Sequence, residues 1–309
     1  MISRVDAELA GERSDKIVAM LADVSRSMAR RLIESGAVQV DGSPVAPKDR
    51  LDAGALVSIE LPAAEILEPE EVAFEVRYED ADIAVIDKPA GVVVHPGTGV
   101  IGGTLAGGLL FRWPRIRGVG QDNRWGIVHR LDRDTSGLLV VALSEAAYEG
   151  LTEAIAAREV SRTYLALVQG GFVLPAGTID APIGRDPRRP TRRVVRREGR
   201  QARTHYRQLA GWSDPGVSLL EVRLETGRTH QIRVHLESIG HPVIGDRVYG
   251  ATSPRMPSVE RIWLHAVSLS FVHPITGVTI DVTAPLPSDL QGTLEELGTA
   301  DVGGYPKNT

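Results

Sequence analysis

The chain has 309 residues, 35 Lys and Arg against 40 Asp and Glu, a formal net charge of −5, 42% hydrophobic residues and no cysteine. That apolar share fills a core and excludes disorder as the dominant state, while the length exceeds one average domain. Without cysteine there are no disulfides, Cys-type zinc sites, iron–sulfur clusters or thiol nucleophiles, and the acidic total speaks at first sight against a nucleic-acid partner.

The first residues, MISRVDAELAGERSDKIVAML, lack the apolar centre of a signal peptide. No run approaches the ~18 uncharged apolar residues of a membrane span. A cytoplasmic monomer with no membrane contact is expected. Residues 12–61 read as a small α/β module. Helical spacing covers Asp15–Leu21 and Ser27–Ser35, with Ser25 as N-cap and Gly36 just past the second helix. AVQVD (37–41) and LVSIEL (56–61) alternate as strands, and Asp41-Gly42 marks a tight turn. On the second helix Met28, Leu32 and Ile33 form the apolar stripe, leaving Arg26, Arg30 and Arg31 outward as a basic face suited to RNA.

Residues 62–75 (PAAEILEPEEVAFE) hold five glutamates, two prolines and no basic residue, and read as an acidic linker. A larger domain follows at 76–290. Strand-like runs fall at 83–86, 92–94, 127–128, 138–143, 164–168, 217–224, 263–271 and 278–282, with helical patterns at 104–110, 144–158 and 228–239. Many strands among few helices predict an α+β fold on a mixed, largely antiparallel sheet. The segment 291–309 reads as a flexible tail.

The net charge hides its distribution. From Arg185 to Arg203 there are nine arginines, among them Arg188, Arg189, Arg192 and Arg193, and two acids. That stretch carries +7 and the rest of the chain −12. It reads either as a solvated loop or as a flexible arm whose guanidinium forks grip phosphates.

Two segments concentrate polar chemistry. In GIVHRLDRDTSGLLVVA (126–142) two apolar strand runs flank the polar loop HRLDRDTSG. Charges held over a core need partners, so the loop is either an internally paired turn or a site. In LLEVRLETGRTHQIRVHLESIGHPVIGDRVYG (219–250) a strand ends at Thr226 and a helix starts, with Arg228, Ile232, His235 and Ile239 on one stripe. Arg233 beside it either pairs with Glu237 one turn on or reaches a carboxylate elsewhere. His230 and His235 are five apart, a poor metal spacing, so no metal is expected. No dinucleotide, Walker or GxSxG pattern is present, and Asp132 and Asp134, two apart in a loop, should diverge rather than act as a carboxylate pair.

HRLDRDTSGLL (129–139) resembles the signature of the RluA/RluD-type pseudouridine synthases. VIDKPAGVVVHP (85–96), SRTYLALVQG (161–170), ETGRTHQIRVHLESIGHPVIGD (225–246) and LHAVSLSFVHP (264–274) match in order. The module at 12–61 resembles the S-four-like RNA-binding domain that precedes the catalytic domain in RluD-type members. The resemblance implies isomerisation of uridine to pseudouridine in structured RNA, foremost large-subunit (23S) ribosomal RNA, without cofactor or metal. It makes Asp132 the catalytic carboxylate, Tyr164 the ring stacked on the uracil near C5, and Arg233 the basic partner that keeps Asp132 charged and aimed. Ile232 becomes an apolar wall, Arg130 a support for the flipped nucleotide or a filler of its gap, and His129 and Arg228 supporting residues around the pocket. Ser14 departs from the usual leucine of the small domain, and Trp125 from a common proline.

Overall fold

The computed structural model describes residues 1–22, 24, 26–60, 67–96, 102–121, 124–189, 192–250 and 256–305. The chain divides into two compact units, Met1–Ile66 and Leu67–Thr309.

In the smaller unit β1 (Ile2–Arg4), α1 (Ser14–Leu21), α2 (Arg26–Glu34), β2 (Val38–Val40), β3 (Ser43–Pro44) and β4 (Leu56–Ile59) follow in order, the strands pairing antiparallel as β1-β4-β2-β3. Ala29, Leu32 and Ile33 fall at helical spacing on α2 and bury against Ile17, Val18, Val57 and Ile59. Asp41 (φ 49) and Gly42 (φ 78) close the β2–β3 hairpin with two positive φ values, as an Asp-Gly turn of this kind requires. The unit begins earlier than residue 12, because β1 pairs with β4 and Val5 joins the core. Ser14 is buried without a deficit: its hydroxyl donates to the Ala46 carbonyl at 2.6 Å. Ser25, the predicted N-cap, lies outside the described residues.

The larger unit contains β5 (Glu75–Glu79), β6 (Ile83–Lys88), α3 (Leu105–Arg112), β7 (Ser136–Ala142), α4 (Glu145–Ala157), β8 (Ser161–Gln169), β9 (Ala176–Asp180), β10 (Ile183–Arg185), β11 (Arg193–Val195), β12 (Arg203–Trp212), β13 (Val217–Leu224), α5 (Gln231–Ser238), β14 (Leu264–Val272), β15 (Thr279–Thr283), α6 (Ser288–Leu297) and β16 (Val302–Gly303). Ten strands form one sheet along β16-β12-β13-β8-β14-β7-β6-β5, with β9 added to β12 and β15 to β14. Every pairing is antiparallel except β14 with β7. At that parallel seam Gly137 (φ 114) is obligatory, since a Cβ there would stand 2.3 Å from the Ala266 carbonyl oxygen.

Alternation along β8 divides the core. Tyr164, Ala166 and Val168 face the cluster that includes α3 and α4, while Leu165 and Leu167 face the one that includes α6. Residues 291–305 are therefore no loose tail: Leu290, Leu294 and Leu297 cover the second sheet face and β16 pairs with β12. Residues 67–74, read as linker, also belong to this unit, since Leu67 is in its core and Val72 and Phe74 press on Gly108 of α3.

Two local readings change. Runs 92–94 and 127–128 make only isolated bridges, Val93 to Thr104 and Ile127 to Val141. Helix α5 starts at Gln231, not Arg228, because His230 sits in the left-handed region (φ 58) and the Gln231 amide closes the loop before it. Its oxygen accepts from Thr226 Oγ1 and the Arg228 N–H, and its nitrogen donates to the Arg203 carbonyl and Thr204.

Candidate active site

The polar loop 129–135 enters β7 at the parallel seam and is held from beneath by Lys88. This lysine is fully buried at the end of β6 and donates to the carbonyls of Pro89 (2.7 Å), Val92 (3.0 Å) and Arg133 (3.0 Å). Burial pushes its ammonium down to about 7, against the pull of Asp134 and Asp132. Leu131 anchors the loop in the core.

The two aspartates of the loop diverge. Asp134 pairs with its neighbour Arg133, whereas Asp132 leaves the loop and meets α5, its Oδ2 accepting from Arg233 Nη1 at 3.0 Å. Arg233 does not form the pair with Glu237; that carboxylate is taken by Arg192. The rest of the Arg233 fork is gripped by Asp246, whose side chain is fully buried: Nε to Oδ2 is 2.6 Å and Nη2 to Oδ1 is 2.9 Å. Burial works against the arginine's charge, but the hydrogen bonds and charges of Asp246 and then Asp132 raise its pKa well above normal. Asp246 is itself fixed by the Val248 and Tyr249 N–H groups, and the Tyr249 ring lies 5.0 Å beneath the guanidinium. Asp132 Oδ1 makes no hydrogen bond with any described residue, so one carboxylate oxygen is tethered and the other is available.

Asp132 and Arg233 line a cavity of about 540 Å³, within the size range of small-ligand sites. Tyr164, Ile232, His129, Arg130 and Arg228 line the same cavity, so all seven expected pocket residues converge there although the sequence spreads them over 105 positions. Tyr164 projects from β8 and is 5% exposed; burial raises its phenol pKa, Asp132 adds to this and Arg162 opposes it. His129 Nε2 accepts the Val140 N–H at 3.0 Å, which fixes the proton on Nδ1, and burial followed by the charge of Arg162 holds the ring neutral down to about 3. Arg228 stands in the loop before α5, its Nε donating to the Gln201 carbonyl at 3.0 Å. Six guanidiniums line the cavity, and four of them, Arg124, Arg130, Arg162 and Arg228, have no acid partner among the described residues. Among those residues no cluster of three His, Asp or Glu could hold a metal ion.

Sequence reasoning missed Asp246, Lys88, Arg162 and Tyr249. Asp246 ends the apolar stretch HPVIGD, where a lone carboxylate needs a cationic partner. Arg162 lies two residues before Tyr164, hence on the same strand face.

In the smaller unit Arg26, Arg30 and Arg31 are exposed on α2, Arg26 pairing with Asp15 and Arg30 with Glu34. The arginine run is no free arm, for β10 and β11 form a hairpin in which Arg185 faces Arg193. Arg188 and Arg189 are exposed at its tip, while Arg192 ties it to α5 through Glu237 and lies 5.1 Å from the Tyr249 ring. A second groove of about 420 Å³, lined by Arg185, Arg193, Arg200 and Arg228, shares Gly227, Arg228 and Thr229 with the main cavity.

A lone tethered aspartate facing a buried aromatic ring, in a cavity rich in unpaired arginine, defines an enzyme that handles a polyanion. The family profile described as RNA pseudouridylate synthase matches residues 82–238, and that of the S4 domain matches 13–57. An uncharacterised RNA pseudouridine synthase of Mycobacterium bovis is 45% identical over 94% of this chain and 95% of its own. The ribosomal large subunit pseudouridine synthase D of Xanthomonas campestris is 43% identical over 93% and 89%. Human RNA pseudouridylate synthase domain containing 1 superposes with a TM-score of 0.56 at 28% identity, covering 79% of this chain and 100% of its own. The chain belongs to the RNA pseudouridine synthase family. It has the RluD-type arrangement, an S4 RNA-binding domain ahead of the synthase domain.

Proposed function

We propose that the enzyme isomerises uridine in large-subunit (23S) ribosomal RNA, with Asp132 acting at the ribose, Tyr164 stacking on the uracil and Arg233 positioning the carboxylate. The observation that carries this reading is the Asp132–Arg233–Asp246 chain facing Tyr164 across one cavity. Breaking the glycosidic bond develops positive charge on the ribose, and a carboxylate with one oxygen tethered and one available meets that charge. A covalent bond to C1′ and removal of the C2′ proton both need the carboxylate in this place. The detached uracil must turn and rebond through C5 before escaping, so Tyr164 and Ile232 serve as its platform and wall. Arg130 supports the extruded nucleotide, whose unstacking costs a few kcal/mol, and His129 and Arg228 shape the pocket around it. The ribosomal substrate rests on relatives named as large-subunit synthases. No cofactor enters the scheme.

The test is site-by-site pseudouridine mapping of RNA from cells lacking the protein, complemented with wild type or Asp132→Asn. Wild type should restore one or more sites in large-subunit RNA and Asp132→Asn none. Restoration by the mutant would remove Asp132 from the chemistry, and restored sites confined to transfer RNA would overturn the substrate.

A further inference from the structure

Arg162 is the least explained charge in the larger unit. It is 6% exposed on β8, yet no ion pair or hydrogen bond with a described residue reaches its guanidinium, and its Nε is buried without a partner. A buried, unpaired cation is costly in a folded chain, and the cost is offset only by an anion or acceptor that arrives later. The surroundings are cleared for it. Gly227 faces it, and a Cβ there would stand 3.0 Å from Nη1. The neighbouring His129 offers a second donor, Nδ1–H, also buried without an acceptor. Asp132 is not the missing partner, being held by Arg233. The other cavity arginines without an acid partner differ in burial, since Arg124 and Arg130 are exposed and suit backbone phosphates and Arg228 is half-buried with its Nε on the Gln201 carbonyl, whereas Arg162 is buried.

Position points to the base. Arg162 and Tyr164 share a strand face at the ~6–7 Å spacing of second neighbours, so a pyrimidine stacked on Tyr164 turns one edge toward the guanidinium. We propose that Arg162 is a catalytic residue that hydrogen-bonds the uracil carbonyl oxygens and stabilises the negative charge of the base as it detaches. The inference rests on the roles given above to Asp132 and Tyr164. When the C1′–N1 bond breaks, its electron pair stays on the uracil, spread over N1, O2 and O4. C1′ is compensated by bonding to an Asp132 oxygen or by loss of the C2′ proton to it. On rebonding, a uracil electron pair forms the C5–C1′ bond. Asp132 then either takes back the pair of its C–O bond or returns its proton to C2′, and the C5 proton leaves to water while N1 takes one from water, so that the product base is neutral. A fixed guanidinium meets the charge only while the base is free, as a transition-state donor should.

The test is single-turnover kinetics with RNA from cells lacking the protein, varying enzyme in excess, so that the saturating rate and the half-saturating concentration are read together. Arg162→Met should lower the saturating rate ~100–1,000-fold, move half-saturation less than twofold, and leave Tm unchanged or raised because an unpaired charge has gone. Guanidinium added to Arg162→Ala should restore part of the rate. An unchanged saturating rate with weakened half-saturation would make Arg162 a phosphate grip and overturn the proposal. So would a fall in Tm matching the loss of rate with no rescue by guanidinium, the mark of a structural role. Asp132→Asn run alongside separates the two readings, because activity in that variant defeats the roles of Asp132 and Tyr164 whatever Arg162 does.

Discussion

At the residue scale the site is organised by one arginine between two carboxylates of unequal burial. Asp246 is fully enclosed and takes two bonds from Arg233, while Asp132 is partly open and takes one. The enclosed acid fixes the fork and the fork aims the open acid. Asp246 is thus a positioning residue, and removing its charge should loosen Asp132 without touching RNA. Asp246→Asn is expected to lower the saturating single-turnover rate ~10–100-fold, the usual penalty for losing a partner behind a functional group, with RNA affinity within twofold. An equal loss in affinity would assign Asp246 to general folding instead. Arg233→Lys should be nearly as poor, because an ammonium cannot grip Asp246 at two points and still reach Asp132.

At the element scale the site depends on where β7 and β14 run parallel and on what covers each sheet face. Helix α6 supplies that cover: Leu294 and Leu297, within the segment read as a tail, pack in the same cluster as Leu290 just before it, which is 1% exposed. Leu290→Ala should cost ~2–4 kcal/mol of stability and lower Tm by several degrees, while the saturating rate of the remaining folded enzyme stays at wild type. A silent Leu290→Ala would return α6 to the periphery. This element also shows what the sequence made legible. Strands with long apolar runs, such as LLVVA in β7 or VSLLEVRL in β13, could be located closely. Strand β12 (RTHYRQLAGW) escaped because most of its first seven residues are polar, and α6 because SDLQGTLEEL offers only three leucines. Within the site, the loop 129–135 announced itself as charge between apolar strands, and the family resemblance supplied roles for Tyr164 and Arg233. Asp246 and Arg162 stayed hidden because each is defined by what surrounds it in space, one overfilled with donors and the other without an acceptor.

At the scale of the whole molecule two properties follow from charge. The first is acid sensitivity. His265 is fully buried and makes its hydrogen bond to Ser136 through Nδ1 at 2.9 Å; burial, then Arg261, holds it neutral down to about 4. Unfolded, it takes up a proton near 6.5. Between those values the unfolded chain binds the extra proton, so stability falls as pH falls through this window. His265→Gln should therefore flatten the slope of unfolding free energy against pH around 5.5 by about 1 kcal/mol per pH unit, measured by denaturant titration, and an unaltered slope would place the acid response elsewhere. The second property concerns the RNA. A net charge of −5 conceals a hairpin region carrying +7, but not all of its arginines are available to phosphate. Arg192 is engaged by Glu237, Arg196 by Glu198 and Arg203 by Asp180 and Glu225, which leaves exposed Arg185, Arg188, Arg189, Arg197 and Arg200 without acid partners among the described residues. Each phosphate contact contributes roughly 0.7–0.9 to the slope of log affinity against log salt. Replacing these five by alanine should make that slope shallower by about four, while the single variant Arg192→Ala, which removes an anchor rather than a phosphate contact, should lower stability and leave the slope nearly as it was. The reverse order, with Arg192 setting the slope and the exposed five silent, would show that RNA is gripped at Arg192 and not by the exposed arginines.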